Sequence, residues 1–197
     1  MRLLATLAVL IAAPVHAVMQ TTPYIALHAQ PQYSARGYMP YANPSAPKGG
    51  YITTAANGTF DNLNSMNGKG SAVDGVNYLF DSLMSSSLDE PGVMYPLLAE
   101  RVSFDPKNLT TVTFELNPQA KFSDGSAVTA QDVKFTFDAY LNKANPGLQM
   151  YLSDLARTEV LARHTVRMHL KSKDNTEMPL ILAQLPIYSA KDWQSRD

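Results

Sequence analysis

The chain reads as a mixed α/β protein, and three stretches carry that reading. A strand, a tight turn and a capped helix follow one another from Val112 to Phe137, VTFELNPQAKFSDGSAVTAQDVKFTF. Val166, Met168 and Leu170 alternate with Arg167, His169 and Lys171, the period of a half-buried strand. Between Ser71 and Leu83, Val73, Val76, Tyr78, Leu79, Phe80 and Leu83 give a broad apolar face of helical spacing.

From the start, Met1 to Ala17 has the three parts of a secretory signal peptide. Arg2 supplies the positive region, Leu3 to Ala13 the apolar core, and Val15-His16-Ala17 the small residues that place cleavage after Ala17. The apolar run is too short to span a membrane, which needs about 20 residues. The chain contains no Cys, so neither a lipid anchor on cysteine nor a disulfide is expected. The mature chain is therefore expected to be exported and not a lipoprotein.

Val18 to Gly50 holds Pro23, Pro31, Pro40, Pro44 and Pro47, too many for a helix. It reads as an irregular, Tyr-bearing arm that leads into a strand from Tyr51 to Ala56. Gly58-Thr59-Phe60-Asp61-Asn62-Leu63-Asn64 then crosses a bend. The predicted helix over 71–83 follows, weakened by Gly75 by roughly 1 kcal/mol relative to Ala. Asp89 and Glu90 before Pro91 read as a solvated acidic loop rather than a catalytic pair, because charged residues mostly sit outside.

In the central stretch, Val112, Phe114 and Leu116 alternate with Thr113, Glu115 and Asn117. Ser123-Asp124-Gly125-Ser126 is a turn, with Asp to bond its own backbone and Gly to accept positive φ. Thr129 caps the helix, and Asp132 reaches back to the Thr129 amide in a capping box. Val133, Phe135, Phe137 and Tyr140 are suited to packing under a sheet. A hairpin over Arg157–Leu161 and Thr165–Leu170 and a short helix over Glu177–Leu185 follow, with Pro179 near the helix start where it is tolerated. Pro186 opens a strand-like Ile187-Tyr188.

Composition excludes several classes. A net charge of −1 offers no field for nucleic acid or anionic lipid. There is no GxSxG elbow, no P-loop and no HExxH, and Asp124 and Asp132 are accounted for by their turn and cap. A hydrolase built on Asp61 or Asp124 therefore has little footing, and no catalytic residue is assigned. Of the four His, at 16, 28, 164 and 169, only His164 and His169 invite a metal reading, and they lack an evident carboxylate partner. No metal and no cofactor is expected.

LNPQAKFSDGSAVTAQDVKFTF closely resembles the signature of the periplasmic solute-binding proteins of ABC importers, the oligopeptide, dipeptide and nickel family (family 5). That phrase runs from a strand ending in Leu-Arg-Pro to Phe-x-Asp-Gly and then Val-Thr-Ala-x-Asp-Val. Leu116, Pro118, Phe122, Asp124, Gly125, Val128, Thr129, Ala130, Asp132 and Val133 match, and Asn117 stands where Arg is usual. Asn43-Pro44-Ser45-Ala46-Pro47-Lys48-Gly49-Gly50, Leu88-Asp89-Glu90-Pro91, Leu97-Leu98-Ala99-Glu100 and Trp193-Gln194-Ser195-Arg196-Asp197 are similar to phrases of its peptide- and microcin-type subgroup.

The resemblance implies the N-terminal part of a two-lobed, class II-like α/β periplasmic binding protein. Residues 1–17 would be the signal peptide and 18–64 the arm and first strands of lobe I. Residues 65–173 would form an inserted small α/β domain and 174–197 the return into lobe I. The implied function is to bind oligopeptides and deliver them, as a monomer, to an ABC permease in the inner membrane. Lobe closure would be a hinge motion rather than chemistry. A nickel or other-solute binder, and a truncated paralogue without uptake function, are the alternatives. Phe60, Asp61, Asn62 and Asn64 are implied at the ligand rim, where exposed backbone would pair with an extended peptide. The competing reading of that stretch is an Asx-rich turn bonding only itself. With one lobe alone, ligand burial would be halved and binding weak, and a sheet edge would stay unpaired.

Overall fold

The computed structural model describes residues 19–27, 30–33, 39–64 and 69–194. The predicted signal peptide, the Ser65 boundary and the last residues of the Trp193–Asp197 phrase lie outside them. The centre is a five-stranded antiparallel sheet in the order β1-β5-β6-β8-β7, formed by Gln20–Thr22, Ala99–Phe104, Thr111–Leu116, Thr165–Leu170 and Leu155–Ala162 respectively. A second sheet has the order β2-β4-β3, from Ile25–Ala26, Val93–Pro96 and Met84–Ser86. The mixed α/β class read from the sequence is the class observed.

The alternation in β6 is what builds the core. Val112, Phe114 and Leu116 are buried on one face, with Val102 of β5 and Val166 and Met168 of β8 beside them. Helix α1, Ala130–Lys143, covers that face with Val133, Phe137 and Tyr140. The helix starts where the capping box places it, since the Asp132 carboxylate accepts from the Thr129 amide at 2.9 Å and its hydroxyl at 2.7 Å. The predicted hairpin is present as β7 and β8, joined at Arg163-His164. Its tip carbonyls meet the end of β6 and the start of α1: Leu116 N–H donates to His164 and Ala130 N–H to Arg163. One of the helix's orphan amides is thereby satisfied. Helices α2, Pro146–Tyr151, and α3, Met178–Gln184, follow the strong Pro-at-start pattern, and α3 packs its Met178, Ile181 and Leu182 against the smaller sheet.

Three sequence expectations are corrected. Tyr51–Ala56 forms no strand; the chain there is exposed and pairs with no strand among the described residues, so no ladder defines it. The predicted helix over 71–83 shrinks to one 3-10 turn, Val76–Leu79. Gly75 sits ahead of it at φ 81 and Phe80 leaves it at φ −130, so left-handed and extended backbone bracket the turn and stop an α-helix at both ends. Its Tyr78 and Leu79 point to solvent at 94% and 75% exposure instead of forming a core face. The arm is also less irregular than its prolines suggest, because β1 pairs with β5 and β2 with β4.

The arm is further held by a cluster of tyrosines and acids. Glu90 is buried, 5% exposed, which corrects its reading as part of a solvated loop. It accepts from the Gln32 amide at 2.9 Å and the Tyr95 hydroxyl at 2.6 Å, bonds that offset the cost of burying a carboxylate. The Tyr33 hydroxyl donates to Asp89 at 2.8 Å, the Tyr33 amide to Tyr95, and the Leu88 amide to the Tyr41 hydroxyl. Asp89 itself remains exposed, as expected. Its carboxyl is held below its ordinary range by the Ser87 hydroxyl and then by Tyr33.

Along the flank of α1 that adjoins the core face, one stripe of three buried polar groups ties the helix to the 186–190 segment. The Asp132 carboxylate accepts from the Ala190 amide at 3.0 Å. Thr136 Oγ1 accepts from the Tyr188 amide at 3.0 Å and donates to the Asp132 carbonyl at 2.7 Å. The Tyr140 hydroxyl donates to the Pro186 carbonyl at 2.8 Å. The spacing i, i+4, i+8 puts all three on one face of the helix.

Thr136→Val keeps the shape of the side chain and strands the buried Tyr188 amide. It is expected to lower the unfolding free energy by about 1–3 kcal/mol in urea, whereas Thr136→Ser stays near wild type. Truncating half-buried Lys134, paired with Asp138 at 2.6 Å, is expected to change it by less than about 1 kcal/mol.

The arm clamp carries a pH signature. Tyr33 is pushed from 10.0 up to about 12, first by its hydrogen bond to Asp89. A raised phenol favours the folded state below 10, and that preference is lost as pH climbs toward 12. The lowered Asp89 works in the other direction, contributing above its ordinary value of 3.8 and failing as pH falls below it. An ultraviolet titration should resolve a late Tyr33 step beside Tyr95 and Tyr140, which burial also raises, and in Asp89→Asn the Tyr33 step alone should move back toward 10.

Candidate functional site

The signature turn builds one wall of the main concavity. The Gly125 amide donates to the Phe122 carbonyl at 2.9 Å and the Phe122 amide to Ser126 at 2.8 Å. Gly125 sits at φ 83, a left-handed value a side chain resists. Asp124 accepts from the Ser126 hydroxyl at 2.6 Å and amide at 2.8 Å, as its turn role predicts. The Ser126 hydroxyl, followed by the Ser126 amide, holds the Asp124 carboxyl below the ordinary range, so it stays anionic. The loop then closes with Val128 N–H on the Ala120 carbonyl. Lys121, Phe122, Ser123 and Asp124 are thereby fixed along one side.

The facing wall is the 187–193 segment, whose position the α1 stripe sets. It ends in the short helix α4, Ala190–Gln194, entered through Ser189, which accepts on its hydroxyl from the Asp192 amide and on its carbonyl from Trp193. The third wall is Tyr78–Asp81, joined to the second by the Ile187 amide on the Asp81 carbonyl at 2.9 Å. Together these walls enclose a cavity of about 510 Å³, a volume typical of small-ligand pockets.

Its floor is aromatic. Phe80 meets Tyr188 edge to face with centroids 4.7 Å apart, and Tyr188 meets Trp193 at 5.0 Å. Phe135 backs Trp193 at 6.2 Å and Tyr140 backs Tyr188 at 6.0 Å. Leu98 and Val128 complete the apolar lining, and Asp81, Asp124 and Asp192 bring carboxylates to it. The arrangement brings ring faces and carboxylates to one concavity. It can enclose a group and contact it with ring faces and carboxylates.

The residues singled out for the ligand rim are not among those that line this cavity. Phe60 is exposed, whereas Asp61 and Asn62 bond within their own loop. Asp61 accepts from the Ser71 amide at 2.7 Å, and Asn62 Nδ2 donates to the Asn64 and Lys69 carbonyls at 2.8 and 2.6 Å. The Asn64 amide returns a bond to Asn62 Oδ1. None of the four lines the cavity.

The histidine reading also changes. His164 precedes β8 and His169 lies near its far end, so the hairpin separates them. His169 does have a carboxylate partner: its Nε2 lies 2.6 Å from Glu159 Oε2, with Arg157 at 3.2 Å from the same oxygen. Cross-strand registry, not sequence proximity, makes that cluster. Phe80, Tyr188 and Trp193 were not identified as partners from the sequence. Phe80 lies more than a hundred residues before Tyr188 and Trp193, and no periodicity links them.

The profile of the bacterial extracellular solute-binding proteins, family 5, middle region, matches residues 93–197, more than half of the chain. The probable peptide-binding protein YejA of Agrobacterium fabrum is 36% identical over 154 residues, 78% of this chain and 25% of its own. The peptidoglycan-binding protein YepA of the same organism is 39% identical over 176 residues, 85% of this chain and 28% of its own. Among solved structures, the periplasmic binding protein AgaA of Agrobacterium tumefaciens R10, in complex with agropinic acid, superposes with a TM-score of 0.52. It is 29% identical over 60% of this chain and 23% of its own. The chain thus spans about a quarter of the length of the relatives it matches. With the signature turn, the α1 cap and the 187–193 wall all inside the matched region, the chain belongs to the bacterial extracellular solute-binding proteins of family 5.

Proposed function

We propose that the chain is part of a periplasmic solute-binding component that takes up oligopeptides and hands them to an ABC permease in the inner membrane. The observation that carries this reading is the family match over residues 93–197, joined to relatives named for binding peptide and peptidoglycan. The site chemistry supports it: an enclosed cavity, ring faces and carboxylates suit binding without bond making, in keeping with a solute carrier rather than an enzyme.

In this reading Phe60, Asp61, Asn62 and Asn64 belong to the ligand rim. The loop bonds of Asp61 and Asn62 fix the bend, and the exposed, unpaired backbone ahead of Phe60 offers amides and carbonyls to an extended peptide. The boundaries 18–64, 65–173 and 174–197 divide the segment between lobe I and the inserted small domain. The leader directs export, with cleavage after Ala17, and the protein works as a monomer.

Two measurements test this. Amino-terminal sequencing of the species recovered from the periplasm is expected to begin at Val18; a retained Met1 would remove the cleavage after Ala17, and absence of the chain from the periplasm would remove the export step. Calorimetric titration of that species with alanine tripeptide, alanine pentapeptide and nickel is expected to give saturable heat with peptide and none with nickel. Heat with nickel alone would overturn the peptide assignment in favour of metal.

A further inference from the structure

We infer that the cavity between the signature turn, Tyr78–Asp81 and the 187–193 segment is a pocket for a cationic side chain, the guanidinium or ammonium of an arginine or lysine in a bound peptide. This deepens the peptide reading above and rests on it. The floor is the first ground. Phe80, Tyr188 and Trp193 form one aromatic surface with centroid steps of 4.7 and 5.0 Å. Faces of Trp and Tyr attract a cation through their quadrupole, most strongly where water is excluded. A planar guanidinium also stacks on such faces.

The second ground is charge complementarity around that floor. Asp81, Asp124 and Asp192 line the cavity, against Lys121 as the base on the same lining. They come from three separate walls, so a cation over the rings meets carboxylates on several sides. The turn keeps Asp124 charged, since the Ser126 hydroxyl and amide both donate to it. The volume, about 510 Å³, accommodates a side chain with its neighbouring backbone and not a folded partner.

Trp193 is the chain's single tryptophan and lies on the lining, so its fluorescence reports occupancy directly. The full chain is titrated with acetyl-Ala-Arg-Ala-amide and with the same peptide carrying citrulline, which keeps the shape and removes the charge. The arginine peptide is expected to change Trp193 emission saturably and to bind about tenfold more tightly than the citrulline peptide. Asp124→Asn retains the turn's acceptor oxygen and removes the charge. It is expected to erase most of that tenfold difference, and Asp81→Asn, outside the turn, to reduce it too. Equal affinities for the two peptides, or no Trp193 response to arginine, would overturn the inference. Calorimetry with alanine tripeptide separates the two readings. Peptide heat without any arginine preference leaves peptide binding intact and removes the cation pocket, whereas no heat from any peptide removes the peptide reading itself.

Discussion

The attachment of residues 186–190 to helix α1 is the constraint on which the rest of the domain depends. Asp132, Thr136 and Tyr140 are buried polar groups on the core-facing side of a helix, where unpaired polar atoms cost the most. Each is satisfied only if the distant segment runs past it in one register: Ala190 at Asp132, Tyr188 at Thr136, Pro186 at Tyr140. A slip of that segment by one residue would break all three bonds at once. The register therefore fixes where Tyr188 and Trp193 sit, and through Ile187 on Asp81 it also fixes the third wall of the cavity. Asp132 does double duty, since one oxygen caps α1 while the other holds the amide at the start of α4.

A comparable division of labour appears at the amino-terminal side. The arm contributes only five residues to the sheets, three in β1 and two in β2, too few to hold by ladder bonds alone. Glu90, Tyr95, Tyr33 and Asp89 supply the remaining attachment through short phenol–carboxylate bonds. Such bonds are strong because one partner is charged. They explain why a proline-rich segment lies against the domain, and why the acidic Asp89-Glu90 pair is structural in character.

What was legible in the sequence was local. The β6 alternation, the Asp124-Gly125 turn and the Thr129–Asp132 box each depend on residues within a few positions, and each was read at the place it occupies. The expectations that failed needed partners far along the chain. Tyr51–Ala56 has strand composition and no neighbour to pair with, so composition alone misleads there. The apolar run over 71–83 has helical spacing, yet Gly75 in left-handed backbone and the pairing of Ser82 with Pro186 draw it into a turn and an extended strand edge. Glu90 looked solvated because its two donors lie at Gln32 and Tyr95, and only the folded arm brings the first within reach. The family, by contrast, was legible from wording rather than physics, because a turn, a cap and a strand end in fixed order are a rare combination.

The cavity illustrates how packing prepares recognition. Its aromatic floor is not a set of side chains awaiting a ligand. Tyr188 is buried, its amide is bonded to Thr136, and its ring is wedged among Phe80, Tyr140 and Trp193. The ring faces are thus oriented by the core before any solute arrives, and little rotamer entropy remains to be lost on binding. The mouth is different in kind. Tyr78 and Leu79 stand on a single 3-10 turn with exposed side chains, entered through a left-handed Gly75. A rigid floor beneath an exposed, thinly supported rim lets one site discriminate by charge and ring stacking at its base while tolerating different neighbouring groups at its opening. That combination is in keeping with the proposed peptide pocket.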